Sequence, residues 1–168
     1  QDAPTRIAAR GAPHPAGMSE TADWIDVDYD FPNLHATWTS RTPSLPGAGT
    51  RGIGAQFVGT DGSLVADYGS RIIFLDGKEL DDIPEVPQTL SRSPGHQRNF
   101  LDCVKSRAPA DSNLDYAFPM TTPMYLGRIA YRLGRELHWD AANERFVDDP
   151  EADSMLTKEY REPWGLPL

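Results

Sequence analysis

The chain has 168 residues, a formal net charge of −9 and one cysteine, Cys103. That length suits a single domain with its own core, which we assign to residues 1–168. The acidic balance argues against a nucleic-acid partner, because such binders neutralise phosphates with basic side chains. One cysteine excludes an internal disulfide, and no apolar run approaches the roughly 20 residues of a membrane-spanning helix.

Strand patterns extend from about residue 5 to residue 80. The clearest covers residues 25–31, where apolar and acidic residues alternate with the period of two that gives a strand one buried and one wet face. A turn at Pro32-Asn33 and a second run at 34–39 predict an antiparallel hairpin. Residues 5–9 predict a short edge strand before it, followed by a loop.

A loop rich in proline and glycine separates this hairpin from a second group of strands. Strands are predicted at residues 53–58, 64–68 and 71–75. Asp61-Gly62 and Asp76-Gly77 predict hairpin turns, because Asp-Gly tolerates the positive φ that such turns need. Since no strand alternates with a helix, we expect an open, mainly antiparallel sheet of about five to seven strands.

Helical patterns follow, over about residues 94–107 and 116–134. Ser93-Pro94 resembles an N-cap with proline in the first turn, and Gly134 resembles a C-cap. The second helix starts either near Tyr116 or at Thr122-Pro123. Strands first and helices afterwards predict the α+β class, with helices on one face of the sheet. Residues 140–168 are expected to form an extended tail, after a short strand at 137–139 and with a helical turn near 150–156.

The usual motifs for nucleotide binding, metal binding and hydrolysis are absent. There is no glycine-rich fingerprint, P-loop lysine, H-E-x-x-H or G-x-S-x-G. We therefore predict no catalytic, cofactor-binding or metal-binding residue in this chain. His96, in the first turn of a predicted helix, either faces a hydroxyl-rich or anionic ligand at the helix N-terminus or caps its own helix.

Of three further features, two allow two interpretations each. The acidic stripe of Asp26, Asp28 and Asp30 is either a cation site or, as we expect, a solvated face, since no carbonyl-rich loop completes it. Cys103 is expected to be a buried, inert thiol. The four tryptophans either line a sugar pocket or pack in the core, and at least two are expected in the core. They are Trp24, Trp38, Trp139 and Trp164.

Four segments carry a family resemblance when taken in order. They are residues 57–64 (FVGTDGSL), 96–107 (HQRNFLDCVKSR), 126–140 (LGRIAYRLGRELHWD) and Pro163-Trp164. Together they resemble the bacterial-type C-terminal domain of the glucose–fructose oxidoreductase / inositol dehydrogenase / rhizopine-catabolism (Gfo/Idh/MocA) family. The resemblance covers nearly the whole chain, most firmly residues 53–164.

The resemblance implies that two domains have different functions. Family members have an N-terminal Rossmann domain that binds NAD or NADP and a C-terminal α+β domain that closes the substrate pocket. The sheet of that second domain often forms the oligomer interface, and typical substrates are sugars and polyols. This chain would then be the substrate-binding and oligomerisation domain of an NAD(P)-dependent oxidoreductase, inert without its Rossmann half. The family's Glu-Lys-Pro motif is absent, so no catalytic residue is carried over.

Three residues are predicted to contact the substrate. His96 and Asn99 lie in the first turn of the first helix, and Tyr125 lies in the second, where many relatives have histidine. Arg128 also departs from the family, whose members often have asparagine there. The alternative is a free-standing sugar-binding or assembly module without enzyme activity. The chain begins at Gln1 rather than Met, from which we expect a processed or shortened start; we expect a cytoplasmic protein, or one exported after loss of a signal sequence.

Overall fold

A computed structural model describes residues 3–18, 21–42 and 51–165. The chain forms two compact units: a first unit of Gln1–Ser40 with Asn99–Leu168, and a second unit of Arg41–Arg98. Our assignment of one domain to residues 1–168 stays a prediction. In chain order the elements are β1 (Arg6–Pro13), β2 (Ala22–Phe31), β3 (Leu34–Thr39), β4 (Ala55–Val58), β5 (Gly62–Ala66), β6 (Arg71–Leu75), β7 (Lys78–Glu79), α1 (His96–Ser106), α2 (Leu114–Leu133), β8 (Leu137–Asp140), β9 (Arg145–Phe146) and α3 (Pro150–Ser154).

The first unit contains a five-stranded antiparallel sheet in the order β3-β2-β1-β8-β9. The hairpin predicted at residues 25–39 is confirmed, with Val27 opposite Trp38 across β2 and β3. The prediction that β1 is a short edge strand is wrong. It continues to Pro13 and lies between β2 and β8, because Ile7 pairs with Leu137 from the far end of the chain.

One face of this sheet is covered by α2, which contacts β1 and β2. The helix begins earlier than either predicted start, because the side chain of Asn113 caps it by accepting the N–H of Tyr116 at 3.1 Å. The predicted C-cap is confirmed, since Gly134 has φ 65°. The core between helix and sheet contains Ile7, Val27, Tyr29, Leu126, Ile129, Ala130, Leu137, Trp139, Phe146 and Ala152.

Helix α2 approaches the sheet closely at Gly127. A Cβ there would lie 2.5 Å from the hydroxyl of Tyr29 and 2.9 Å from a methyl of Val27, so glycine is required for this packing distance. The same hydroxyl donates a hydrogen bond to the carbonyl of Pro123 at 2.8 Å. Burial raises the pKa of Tyr29 to about 12, so the phenol stays protonated as a donor.

The second unit contains a four-stranded antiparallel sheet in the order β4-β5-β6-β7. The turn at Asp76-Gly77 is confirmed, with φ 50° and 74°. Val65 is the one buried residue among the described residues of this unit. The α+β class and the antiparallel strands are confirmed, but the strands divide between two sheets, because β8 and β9 complete the first sheet while β4–β7 pair only among themselves.

The remaining elements refine the helical predictions. Helix α1 begins at His96, so the predicted cap at Ser93-Pro94 lies outside it, and none of its residues is buried. The predicted helical turn near residue 150 is confirmed as α3, whose cap Asp149 accepts the N–H of Ala152 at 3.1 Å. The tail also contains β9, which the sequence analysis did not predict.

Candidate functional site

The structure places the three predicted substrate contacts on two helices. His96 is exposed at the start of α1. The carbonyl oxygen of the Asn99 side chain accepts the N–H of Asp111 at 3.1 Å, so this amide orders the connection between α1 and α2. Tyr125 is exposed on α2. Their substrate-binding role stays a prediction.

Helix α2 has two chemically different halves. All of its buried residues lie at or after Leu126, over the sheet. The half from Leu114 to Tyr125, which we call the apolar half of α2, has one charged residue, Asp115. Its exposed large apolar side chains are Leu114, Tyr116, Phe118, Met120, Met124 and Tyr125. The sequence signal for this surface was the nearly uncharged run LDYAFPMTTPMYL, in which apolar residues occur on every side of the helix.

The face of the five-stranded sheet opposite α2 is polar, because the acidic stripe of β2 points there. The expectation that this stripe is a solvated face is only partly correct. Asp26 is 4% exposed, bonded by Arg10 of β1 at 3.1 Å and by the hydroxyl of Thr39 of β3 at 2.6 Å. Within the described ranges, no group of three or more acidic, histidine or cysteine side chains has the arrangement of a metal site.

One row of this polar face crosses four strands. His35, Asp30, Arg6 and His138 lie directly opposite one another on β3, β2, β1 and β8. The Nδ1 atom of His35 is 2.6 Å from Asp30, and Arg6 donates to Asp30 at 2.7 Å. These bonds, that of His35 first, lower the pKa of Asp30. Arg6 also pairs with Glu136 at 2.7 Å.

A concave surface lies in the second unit, where two hairpin turns meet at one end of the sheet. It has a volume of about 420 Å³ and is lined by residues 58–63, Phe74 and Asp76-Gly77. Its lining combines hydroxyls, two carboxylates and one aromatic ring. None of the three predicted substrate contacts belongs to it.

The remaining sequence expectations have mixed outcomes. Trp139 is buried, in edge-to-face contact with Phe146 at 5.1 Å, but Trp38 and Trp164 are exposed and Trp24 is half-buried. Fewer tryptophans are fully buried than expected. Cys103 is half-buried rather than buried, with its thiol 3.5 Å from the carbonyl of Pro109.

The fold and these surfaces define an α+β domain with open antiparallel sheets. A family model described as "Oxidoreductase family, C-terminal alpha/beta domain" matches residues 45–166. The chain therefore belongs to the Gfo/Idh/MocA oxidoreductase family and contains its C-terminal domain, as the resemblance implied. Neither the curated proteins nor the solved structures include a match. No helix in the described part of the chain is both long and apolar enough to cross a bilayer.

Proposed function

We propose that this chain is the substrate-binding and association domain of an NAD(P)-dependent oxidoreductase that acts on sugars or polyols. The observation that carries the proposal is the apolar half of α2, found in a domain whose family pairs with an N-terminal Rossmann domain. The family is typically NAD(P)-dependent. In the proposal, NAD or NADP is bound by that other half and the chain alone is inert, because hydride transfer needs a nicotinamide held against the substrate.

The chemistry of the apolar half of α2 fits a surface that another domain covers. A helix that is apolar on all sides is normally buried, and large contiguous apolar patches on soluble proteins commonly mark interaction sites. The second half of the same helix is already buried on the sheet. The Rossmann half is the proposed cover, and Tyr125 lies at the inner end of the surface, next to the first buried residue, Leu126.

The proposed substrate contacts have groups that suit hydroxyl-rich ligands. An imidazole, an amide and a phenol each donate and accept hydrogen bonds, as sugar and polyol hydroxyls require. His96 and Tyr125 are exposed and free to turn toward a ligand, whereas Asn99 retains its two amide donors after accepting the N–H of Asp111. We therefore propose that Asn99 contacts the substrate through its NH₂ group.

The polar face of the five-stranded sheet is the proposed surface for a homo-oligomer. It pairs arginines of β1 with aspartates of β2, so two copies related by a two-fold axis present the same mixed charges to each other. The salt dependence of the molar mass in solution tests this part separately. A chain that is monomeric at low and high salt contradicts it.

The docking surface is tested in the complete protein with two matched variants. Phe118 of the apolar half of α2 and Phe57 of β4 are 56% and 61% exposed. Phe118→Glu is expected to lower cofactor-dependent activity at least about tenfold, the effect of losing about 1.4 kcal/mol of docking, and Phe57→Glu to leave it unchanged. Equal activity of both variants would show that the apolar half of α2 is not the docking surface.

The substrate contacts are tested by steady-state kinetics with a panel of sugars and polyols. His96→Ala and Tyr125→Phe are expected to raise KM or lower kcat for the preferred substrate without changing the KM for the cofactor. Unchanged values leave both residues with a structural role. A complete protein that shows no thermal or spectral response to NAD or NADP would favour the alternative, a binding or assembly module.

A further inference from the structure

His35 lies in the edge strand β3 and contacts two carboxylates of β2. Its Nδ1 atom is 2.6 Å from Asp30 Oδ1, and its Nε2 atom is 3.6 Å from Asp28 Oδ1. The hydroxyl of Thr37 lies 3.3 Å from the same Nε2 and donates to Asp28 Oδ1 at 2.8 Å. We call these four residues the His35 cluster.

The number of protons available for these hydrogen bonds determines which protonation state of the His35 ring satisfies them. A hydroxyl has one proton, and that of Thr37 is donated to Asp28. Nε2 of His35 can then bond to Thr37 only as a donor, while Nδ1 must donate to the carboxylate of Asp30. Both ring nitrogens are donors only in the imidazolium. If the ring loses a proton, one ring nitrogen presents a lone pair to an oxygen atom, or Thr37 must break its hydrogen bond to Asp28.

The other charged groups of this face are arranged differently. They include Arg6 and Arg10 of β1, Asp26 of β2, Glu136, His138 and Asp140 at β8, and Arg145 of β9. Arg6 joins Asp30 to Glu136, and His138 lies 3.4 Å from Glu136, so neither bonds to β3. Arg10 pairs with Asp26, which also accepts the hydroxyl of Thr39. His35 is the histidine of β3, and histidine is the side chain type that ordinarily changes charge between about pH 5 and about pH 8.

We propose that the His35 cluster is a proton-dependent clip that fastens edge strand β3 to the sheet. Among the described strands, β3 stands at the edge of the sheet beside β2, so its attachment depends on β2. With the ring protonated, two donors hold two carboxylates and the clip is closed. With the ring neutral, one of these bonds is lost and β3 opens more often.

Amide hydrogen exchange of the 168-residue chain tests the clip. Protection factors, corrected for the pH dependence of intrinsic exchange, are measured at about pH 6 and about pH 8, on either side of the imidazole range. Protection of β3 is expected to fall about fivefold at the higher pH, the size of one exposed ion pair. Protection of β5 in the second unit is expected to stay the same.

Two glutamine variants identify the group responsible. His35→Gln is expected to abolish the pH step in β3, whereas His138→Gln, at the other end of the same row, is expected to retain it. Equal wild-type protection at both pH values overturns the clip, and so does a step that survives in His35→Gln. If that variant does not fold, NMR of the wild-type ring decides. The His35 ring signals and β3 protection must change over the same pH interval, and a mismatch overturns the proposal.

Discussion

The two sheets of this molecule have similar strand numbers but different degrees of cover. In the five-stranded sheet, apolar and polar residues alternate along β2, and α2 covers the apolar face. In the four-stranded sheet, Val65 faces Ile72 and the adjacent Leu64 faces Ile73, so apolar residues lie on both faces. Yet Val65 is the one described residue of that unit that is buried. Folding free energy should therefore be concentrated in the first unit, since it depends on the apolar area removed from water.

The largest expected effect compares a buried and an exposed residue of the two sheets. Ile7 is fully buried in β1. An Ile7→Ala variant is therefore expected to lose about 2–5 kcal/mol of unfolding free energy, because a cavity remains. Phe57→Ser in β4 is expected to change it by no more than about 0.5 kcal/mol, as for other surface positions. Urea unfolding measures both. Comparable losses would mean that the second sheet contributes as much as the first.

The next effect probes the contact between α2 and the first sheet. Gly127→Ala is expected to cost about 1–3 kcal/mol, because the new methyl group meets the Tyr29 hydroxyl and Val27. Combining it with Tyr29→Phe is expected to recover part of the loss, since the closest atom is removed. A double-mutant cycle measures this coupling. Strict additivity would show that the helix moves away rather than compressing that contact.

A smaller effect is expected from the hairpin turn of the second sheet. Gly77 has φ 74°, a left-handed conformation that costs a residue with a Cβ about 1 kcal/mol. Gly77→Ala is therefore expected to increase amide exchange in β6 and β7 while leaving that of β1 and β2 unchanged. Faster exchange in β1 and β2 as well would show that the two units unfold together.

The smallest effect is a gradual loss of stability in acid, to which carboxyls of both units contribute. Hydrogen bonds from Arg135 and from the N–H of Ala152 lower the pKa of Asp149 to about 2, and His35 and Arg6 lower that of Asp30. A carboxyl with a lowered folded pKa adds stability above its unfolded value, about 4, and loses it as the pH falls through the folded value. The urea midpoint should fall between about pH 4 and about pH 2, and Asp149→Asn should reduce that slope. An unchanged slope assigns the loss to other carboxyls.

Local patterns predicted those parts of the fold that local interactions determine. The hairpin at 25–39, the Asp76-Gly77 turn and the Gly134 cap all follow from neighbouring residues. The central position of β1 depends on its pairing with β8, close to the other end of the chain, and no local pattern contains that information. The same is true of the division into two sheets.

The candidate site was predictable in outline only. His96 was correctly placed in the first turn of a helix, but the bond from Asp111 to Asn99 depends on how the α1–α2 connection folds. The row from His35 to His138 could not be foreseen, because it needs the register of four strands. The apolar half of α2 was visible as composition, but its exposure followed only from which residues of α2 pack in the core.

The buried carboxylate of Asp26 has a consequence for how the sheet assembles. Two of its partners, Arg10 and Thr39, come from strands on opposite sides of β2, and both lie directly across from it. A shift of either strand by one residue would point that partner toward the opposite face and deprive a charge withdrawn from water of a bond. Misaligned chains are thereby penalised on both sides at once. Asp26 thus favours the observed alignment of three strands over alignments in which one strand is shifted by a residue.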